Sequence, residues 1–126
     1  MMKLIVFLLI HALLLLGLVN LNKRKYNYKF SNNSIAFIAM FLFYISIVAL
    51  AFTLGIIYKN ELDSFDFNHD GSFSNDEMSP EQQAAMHKVI SDTGRNMAPI
   101  IGIFYSIIYF VIIRVSLWLF NPRKTN

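Results

Sequence analysis

The chain has 126 residues, of which 56% are hydrophobic, 15% aromatic and only 15% charged, more apolar and far less charged than a soluble domain. Its net charge of +3 does not mark a nucleic-acid face: all eight acidic residues lie between Glu61 and Asp92, while Lys23, Arg24, Lys25 and Lys29 crowd one segment and Arg123 and Lys124 another. Segregation of that kind beside apolar runs reports membrane topology and excludes nucleic acid as a partner. Cysteine is absent, which removes disulfides, thiolate zinc sites and a cysteine nucleophile.

Residues 4–21 are almost unbroken Leu, Ile, Val and Phe, the minimum length that crosses a hydrocarbon core of about 30 Å at about 1.5 Å per residue. They are predicted to form a first transmembrane helix. A cleavable signal peptide fits less well, since only Lys3 precedes the run, no small-residue cleavage site follows Gly17, and a basic cluster comes next. His11 falls in mid-span. It is expected to stay neutral and hydrogen-bond a tyrosine or a backbone carbonyl of a neighbouring helix, in a packing role.

Residues 20–34 read as a short basic loop, cytoplasmic by the positive-inside rule. Residues 35–58 carry no charge and form a second predicted span. Phe37, Phe41, Phe43, Tyr44 and Phe52 make it bulky, and Ala36, Ala39, Ser46, Ala49, Ala51 and Gly55 offer small surfaces for close helix approach.

Residues 59–97 are the one extended polar region, with eight acidic residues against Lys59, Lys88 and Arg95. Within it Ser79 is a good N-cap, Pro80 suits the first helical position, and Gln82 completes a capping box. The helix so begun is predicted to run to Asp92 or Thr93 and end near Gly94. It is weakly amphipathic, with Ala85, Val89, Ile90 and Thr93 on one side and Glu81, Gln82, Lys88 and Asp92 largely elsewhere. His87 is expected to be solvated.

Residues 98–120, opened by Pro99, form the third predicted span. Arg114 lies about two turns from Arg123 and Lys124 and is expected to snorkel toward that end, with Trp118 and Tyr105 or Tyr109 as interfacial or packing aromatics. The fold class is thus an all-α membrane protein in three parts: residues 1–58 with two spans and a basic loop, the acidic region 59–97, and residues 98–126 with the third span and a basic tail. The N-terminus and acidic region fall outside and the C-terminus inside, which in a bacterial inner membrane places the acidic region in the periplasm.

One stretch of the acidic region carries chemistry. Asp66-Phe67-Asn68-His69-Asp70-Gly71-Ser72-Phe73-Ser74-Asn75-Asp76-Glu77 fits D-x-[DN]-x-[DN]-G-x5-E without a gap. It resembles an EF-hand loop, and the likeness covers the loop with Leu62 and Phe65 ahead of it. The resemblance implies a calcium ion held by Asp66, Asn68, Asp70, the Ser72 backbone carbonyl, Ser74 through water, and Glu77 from both carboxylate oxygens, with Gly71 at the sharp turn. Three charged ligands imply a weak site of the extracellular kind, with a dissociation constant of about 10⁻⁴ to 10⁻³ M. Two departures stand out: Ser79-Pro80-Glu81-Gln82 begins a new helix where the family's exiting helix continues, and Phe73 has no second loop in the chain to pair with.

The expected function is a small integral membrane protein that binds calcium, the ion ordering an extracytoplasmic loop that presents a surface to a membrane-protein partner or a second copy in the bilayer. The alternative is a channel or transporter subunit whose acidic mouth concentrates cations. No nucleophile-elbow, P-loop, zinc-protease or dinucleotide motif is present, so an enzyme is not expected.

Overall fold

The computed structural model describes residues 2–74, 77–91 and 93–120, the side chains of residues 3, 4, 93 and 94 excepted. The described residues are all-α: α1 (Met2–Arg24), α2 (Asn32–Asp63), α3 (Pro80–Ile90), α4 (Thr93–Asn96) and α5 (Ala98–Phe120). α1, α2 and α5 are long and apolar enough to cross a membrane, and at most 22% of the apolar window of any of them is buried within the protein. Large side chains such as Leu13, Leu16, Phe41, Phe52 and Phe104 therefore face outward. A hydrocarbon surrounding accommodates that much exposed apolar surface.

The helices overrun their apolar stretches. α1 continues through Lys23 and Arg24, whose charges in the last turn oppose the negative end of the helix dipole. α2 begins at Asn32 and runs through Lys59-Asn60-Glu61-Leu62-Asp63, five residues past the expected end at Tyr58, because nothing there breaks a helix. The basic loop between α1 and α2 is shortened accordingly.

The chain divides into two compact units. The first comprises α1, α2 as far as Ile45, and α5 from Gly102. Its core is Ile35, Ala36 and Ala39 of α2 against Ile113 and Leu117 of α5, flanked by Leu15, Leu18, Val19, Tyr109 and Phe110. Ala36 is 0% exposed, so here the small residues do permit close helix approach. Ala36→Leu is expected to lower stability by about 1–3 kcal/mol through overpacking, read as an earlier midpoint in denaturant titration of the solubilised protein.

His11 is buried in this unit among the rings of Phe7, Phe43 and Tyr109. Its Nδ1–H donates to the Phe7 carbonyl at 2.8 Å, one turn earlier in its own helix. Tyr109 resolves as a packing aromatic, stacked on Phe43 at 4.3 Å, while Trp118 and Tyr105 are exposed along α5 and Arg114 is partly exposed.

At the polar end of α1, Asn22 is buried and clamps the turn. Its Nδ2 donates to the Phe30 carbonyl at 2.9 Å, and its Oδ1 accepts from the Phe30 N–H at 3.0 Å. Its own carbonyl accepts from Tyr28 N–H at 2.9 Å, in a turn where Asn27 and Tyr28 both have positive φ.

The second unit runs from Ser46 to Ile101. Ser79 caps α3 as expected, its Oγ accepting from Gln82 N–H at 3.1 Å. The reciprocal half of the capping box is not formed, because Ser79 N–H donates to the Glu77 carbonyl at 3.1 Å instead. Gln82, placed by the sequence among the outward residues, is 1% exposed beside Ala85, and Ile90 is 71% exposed. The inward face thus runs through residues 82, 85 and 89, one helical stripe shifted from the apolar one.

α3 also stops early, at Ile90. The N–H and Oγ of Ser91 both donate to the His87 carbonyl, so the serine side chain competes with helix continuation. Gly94 lies within α4 and does not end α3; Asp92, the other proposed terminus, lies outside the described residues. His87 and Ser91 are exposed.

Candidate functional site

The acidic loop leaves α2 through a tight turn, with Phe65 N–H donating to the Leu62 carbonyl at 3.1 Å and Asp66 N–H to the Asp63 carbonyl at 3.2 Å. Leu62 and Phe65 are partly buried, as the packing of the lead-in residues requires. From Asp66 onward the side-chain oxygens turn back on the loop's own N–H groups. Asp66 Oδ2 accepts from Gly71 N–H at 2.9 Å, and Asp66 Oδ1 accepts from Asp70 N–H at 3.2 Å. Asn68 Oδ1 accepts from the same Asp70 N–H at 3.0 Å.

Asp70 in turn accepts from Ser72 N–H at 2.7 Å and from Asn68 Nδ2 at 2.8 Å. The reversal is made at His69 and Gly71, whose φ angles are 57° and 78°. At Gly71 a Cβ would meet nothing within 4 Å, so the demand for glycine there is one of backbone conformation and not of space. Gly71→Ala is expected to destabilise the turn by about 1–2 kcal/mol, seen as faster amide hydrogen exchange at Asp70 and Gly71 with α3 unchanged.

Glu77 closes the loop from the other end and is 5% exposed. Its Oε1 accepts from Phe67 N–H at 2.9 Å and Asn68 N–H at 3.4 Å; its Oε2 accepts from Ser74 N–H at 2.9 Å and Ser74 Oγ at 3.1 Å. The carboxylate thereby ties the residues just after α2 to those just before α3. Residues 75 and 76, which complete the pattern, lie outside the described residues.

These bonds set the acidities. The Ser72 N–H and then the Asn68 amide hold Asp70 below the usual carboxylate range. The Ser74 N–H, with help from the Phe67 and Asn68 N–H groups, does the same for Glu77 against a partial offset from desolvation. A depressed folded-state value means that the stabilisation is complete above the ordinary carboxylate range and is lost as pH falls through the lowered values. In ion-free protein the Phe67 and Ser74 amide shifts are therefore expected to hold constant through the ordinary glutamate range and to move only below it.

Of the six residues assigned to the ion, Asp66, Asn68 and Asp70 converge on one turn, and Ser72 joins them through its N–H. Ser74 is fastened to Glu77, and Glu77 reaches back to residues 67 and 68. The donors available are carboxylate, amide, hydroxyl and carbonyl oxygens, the set a hard divalent cation takes. Among the described residues no group of three or more His, Cys, Asp or Glu is gathered closely enough to hold a metal ion. The partners of these oxygens in the structure are the loop's backbone N–H groups, the Asn68 amide and the Ser74 hydroxyl.

Phe73 is partly buried and, among the described residues, forms no strand. Lys88 of α3 reaches Glu61 near the end of α2 at 2.6 Å, with both side chains more than 40% exposed. Such a pair contributes at most about 1 kcal/mol. The residues are 27 apart in sequence, so no local pattern announces the contact.

Comparison with protein-family models, with curated proteins and with solved structures finds no match to this chain. The class therefore rests on the fold itself: three long apolar helices, with a shorter helix between the second and third, make this a small all-α integral membrane protein.

Proposed function

We propose that the protein binds calcium through residues 66–77 and that the ion orders this membrane-proximal loop, so that α3 presents a surface to a partner in or at the membrane. The ligands are Asp66, Asn68, Asp70, the Ser72 carbonyl, Ser74 through a water, and Glu77. What supports the reading is one observation: Glu77 folds back onto the N–H groups of Phe67 and Asn68, which brings the last ligand of the pattern to the side of the first three.

A bound calcium ion would supply two positive charges among the carboxylates of Asp66, Asp70 and Glu77. The chain supplies the rest. Gly71 makes the reversal, Asp66 holds it through the Gly71 N–H, and Glu77 couples the end of α2 to the start of α3. The segregated charges favour an orientation with the loop and N-terminus outside and the C-terminus in the cytoplasm, as in a bacterial inner membrane. There a weak site is matched to abundant external calcium.

Calorimetric titration of the full chain in detergent tests the reading. Saturable binding of one calcium per chain with a dissociation constant of about 10⁻⁴ to 10⁻³ M is expected. An absence of heat across that range, or heat unchanged in Asp66→Ala, would overturn it.

A further inference from the structure

A second site lies in the second unit, away from the acidic loop. Val48, Ala51, Phe52 and Ile56 of α2 form the apolar wall of a cavity of about 400 Å³, which Lys59 and Arg95 also line. The α2 positions recur at helical spacing, so they form one stripe that is apolar for its whole length and ends in a cation. From residue 48 to residue 59 an α-helix rises about 16 Å, roughly half the thickness of a hydrocarbon core and thus the depth of one leaflet.

The two cations differ in how they are held. Arg95 is anchored: its guanidinium lies 5.2 Å from the centre of the Tyr58 ring and donates to the Val89 carbonyl at 2.9 Å. Its Cδ lies 3.6 Å from where a Cβ on Gly55 would stand, so Arg95 lies against α2 at ordinary van der Waals distance. Lys59 is exposed and makes no ion pair or hydrogen bond among the described residues. The nearest acid in sequence, Glu61, is engaged by Lys88.

We propose that this cavity binds an anionic phospholipid, the phosphate between Lys59 and Arg95 and an acyl chain along the α2 stripe. Charge complementarity selects the anion. The single-leaflet depth and the apolar wall select a lipid over a soluble phosphate. The proposal does not depend on calcium.

The test uses the full chain in detergent, with a calcium chelator present so that no ion bridges lipid to the acidic loop. Lipid retention is read by native mass spectrometry with phosphatidylglycerol, phosphatidylcholine and inorganic phosphate as separate probes. Phosphatidylglycerol is expected to be retained roughly tenfold better than phosphatidylcholine, with no retention of inorganic phosphate. Lys59→Gln should reduce that preference about fivefold and Lys59→Arg should keep it. Gly55→Leu, which crowds the wall without removing charge, should reduce retention of phosphatidylglycerol. Equal retention of the two lipids overturns the proposal. So does a preference that persists in Lys59→Gln but disappears when Lys23, Lys25 and Lys29 are neutralised, since the lipid would then belong to the basic loop.

Discussion

Replacing Glu77 with glutamine is expected to weaken calcium binding by about tenfold or more, because it removes one of three charged ligands and one of the two carboxylate oxygens the ion requires. The same change acts before any ion arrives. Glu77 accepts from Phe67, Asn68 and Ser74 N–H and from the Ser74 hydroxyl, and a neutral amide with one oxygen cannot satisfy donors on both sides. Faster hydrogen exchange at Phe67 and Ser74 is therefore expected in the calcium-free variant. Asn68→Asp is the complementary test, since a fourth charge should tighten binding. Affinity unchanged in both variants would remove the loop from consideration as the site.

Truncation of Asn22 to alanine is the second large effect expected. Its side chain alone satisfies both the N–H and the carbonyl of Phe30, and Asn22 is only 3% exposed. Loss of both bonds in a buried setting is expected to cost about 2–3 kcal/mol. The turn also holds Asn27 and Tyr28 at positive φ, a conformation that non-glycine residues keep only when neighbouring bonds hold them there. Denaturant midpoints of wild type and Asn22→Ala in detergent measure the cost. A midpoint unchanged by the substitution would show that water replaces the clamp.

The spans were legible because a hydrocarbon solvent imposes length and apolarity on every residue of a crossing helix, and no other arrangement of this composition satisfies the backbone. Their ends were less so. Lys59 to Asp63 reads as polar, and polarity says where a helix leaves the lipid but not where its hydrogen bonds stop. The turn at Gly71 was legible because the pattern demands glycine there, and the positive φ follows. By contrast, the burial of Gln82 and the contact between Lys88 and Glu61 depend on how α3 packs within its unit, which spacing along one helix does not encode. Asn22 was hidden for a related reason: an asparagine beside a basic cluster reads as part of a solvated loop until the backbone it clamps is seen. The ligand set proposed for calcium comes from the pattern alone; in the fold Asp66, Asn68, Asp70 and Glu77 each accept from the loop's own N–H groups.

The most direct measurement is the amide spectrum of isotopically labelled full-length protein in detergent, recorded across a calcium titration. Saturable shifts are expected at Phe67, Gly71 and Ser74 with a midpoint of about 10⁻⁴ to 10⁻³ M, together with slowed hydrogen exchange at the same amides and no change along α1. Amides that stay in place as calcium rises through that range, or that move identically in Glu77→Gln, would contradict calcium binding by this loop.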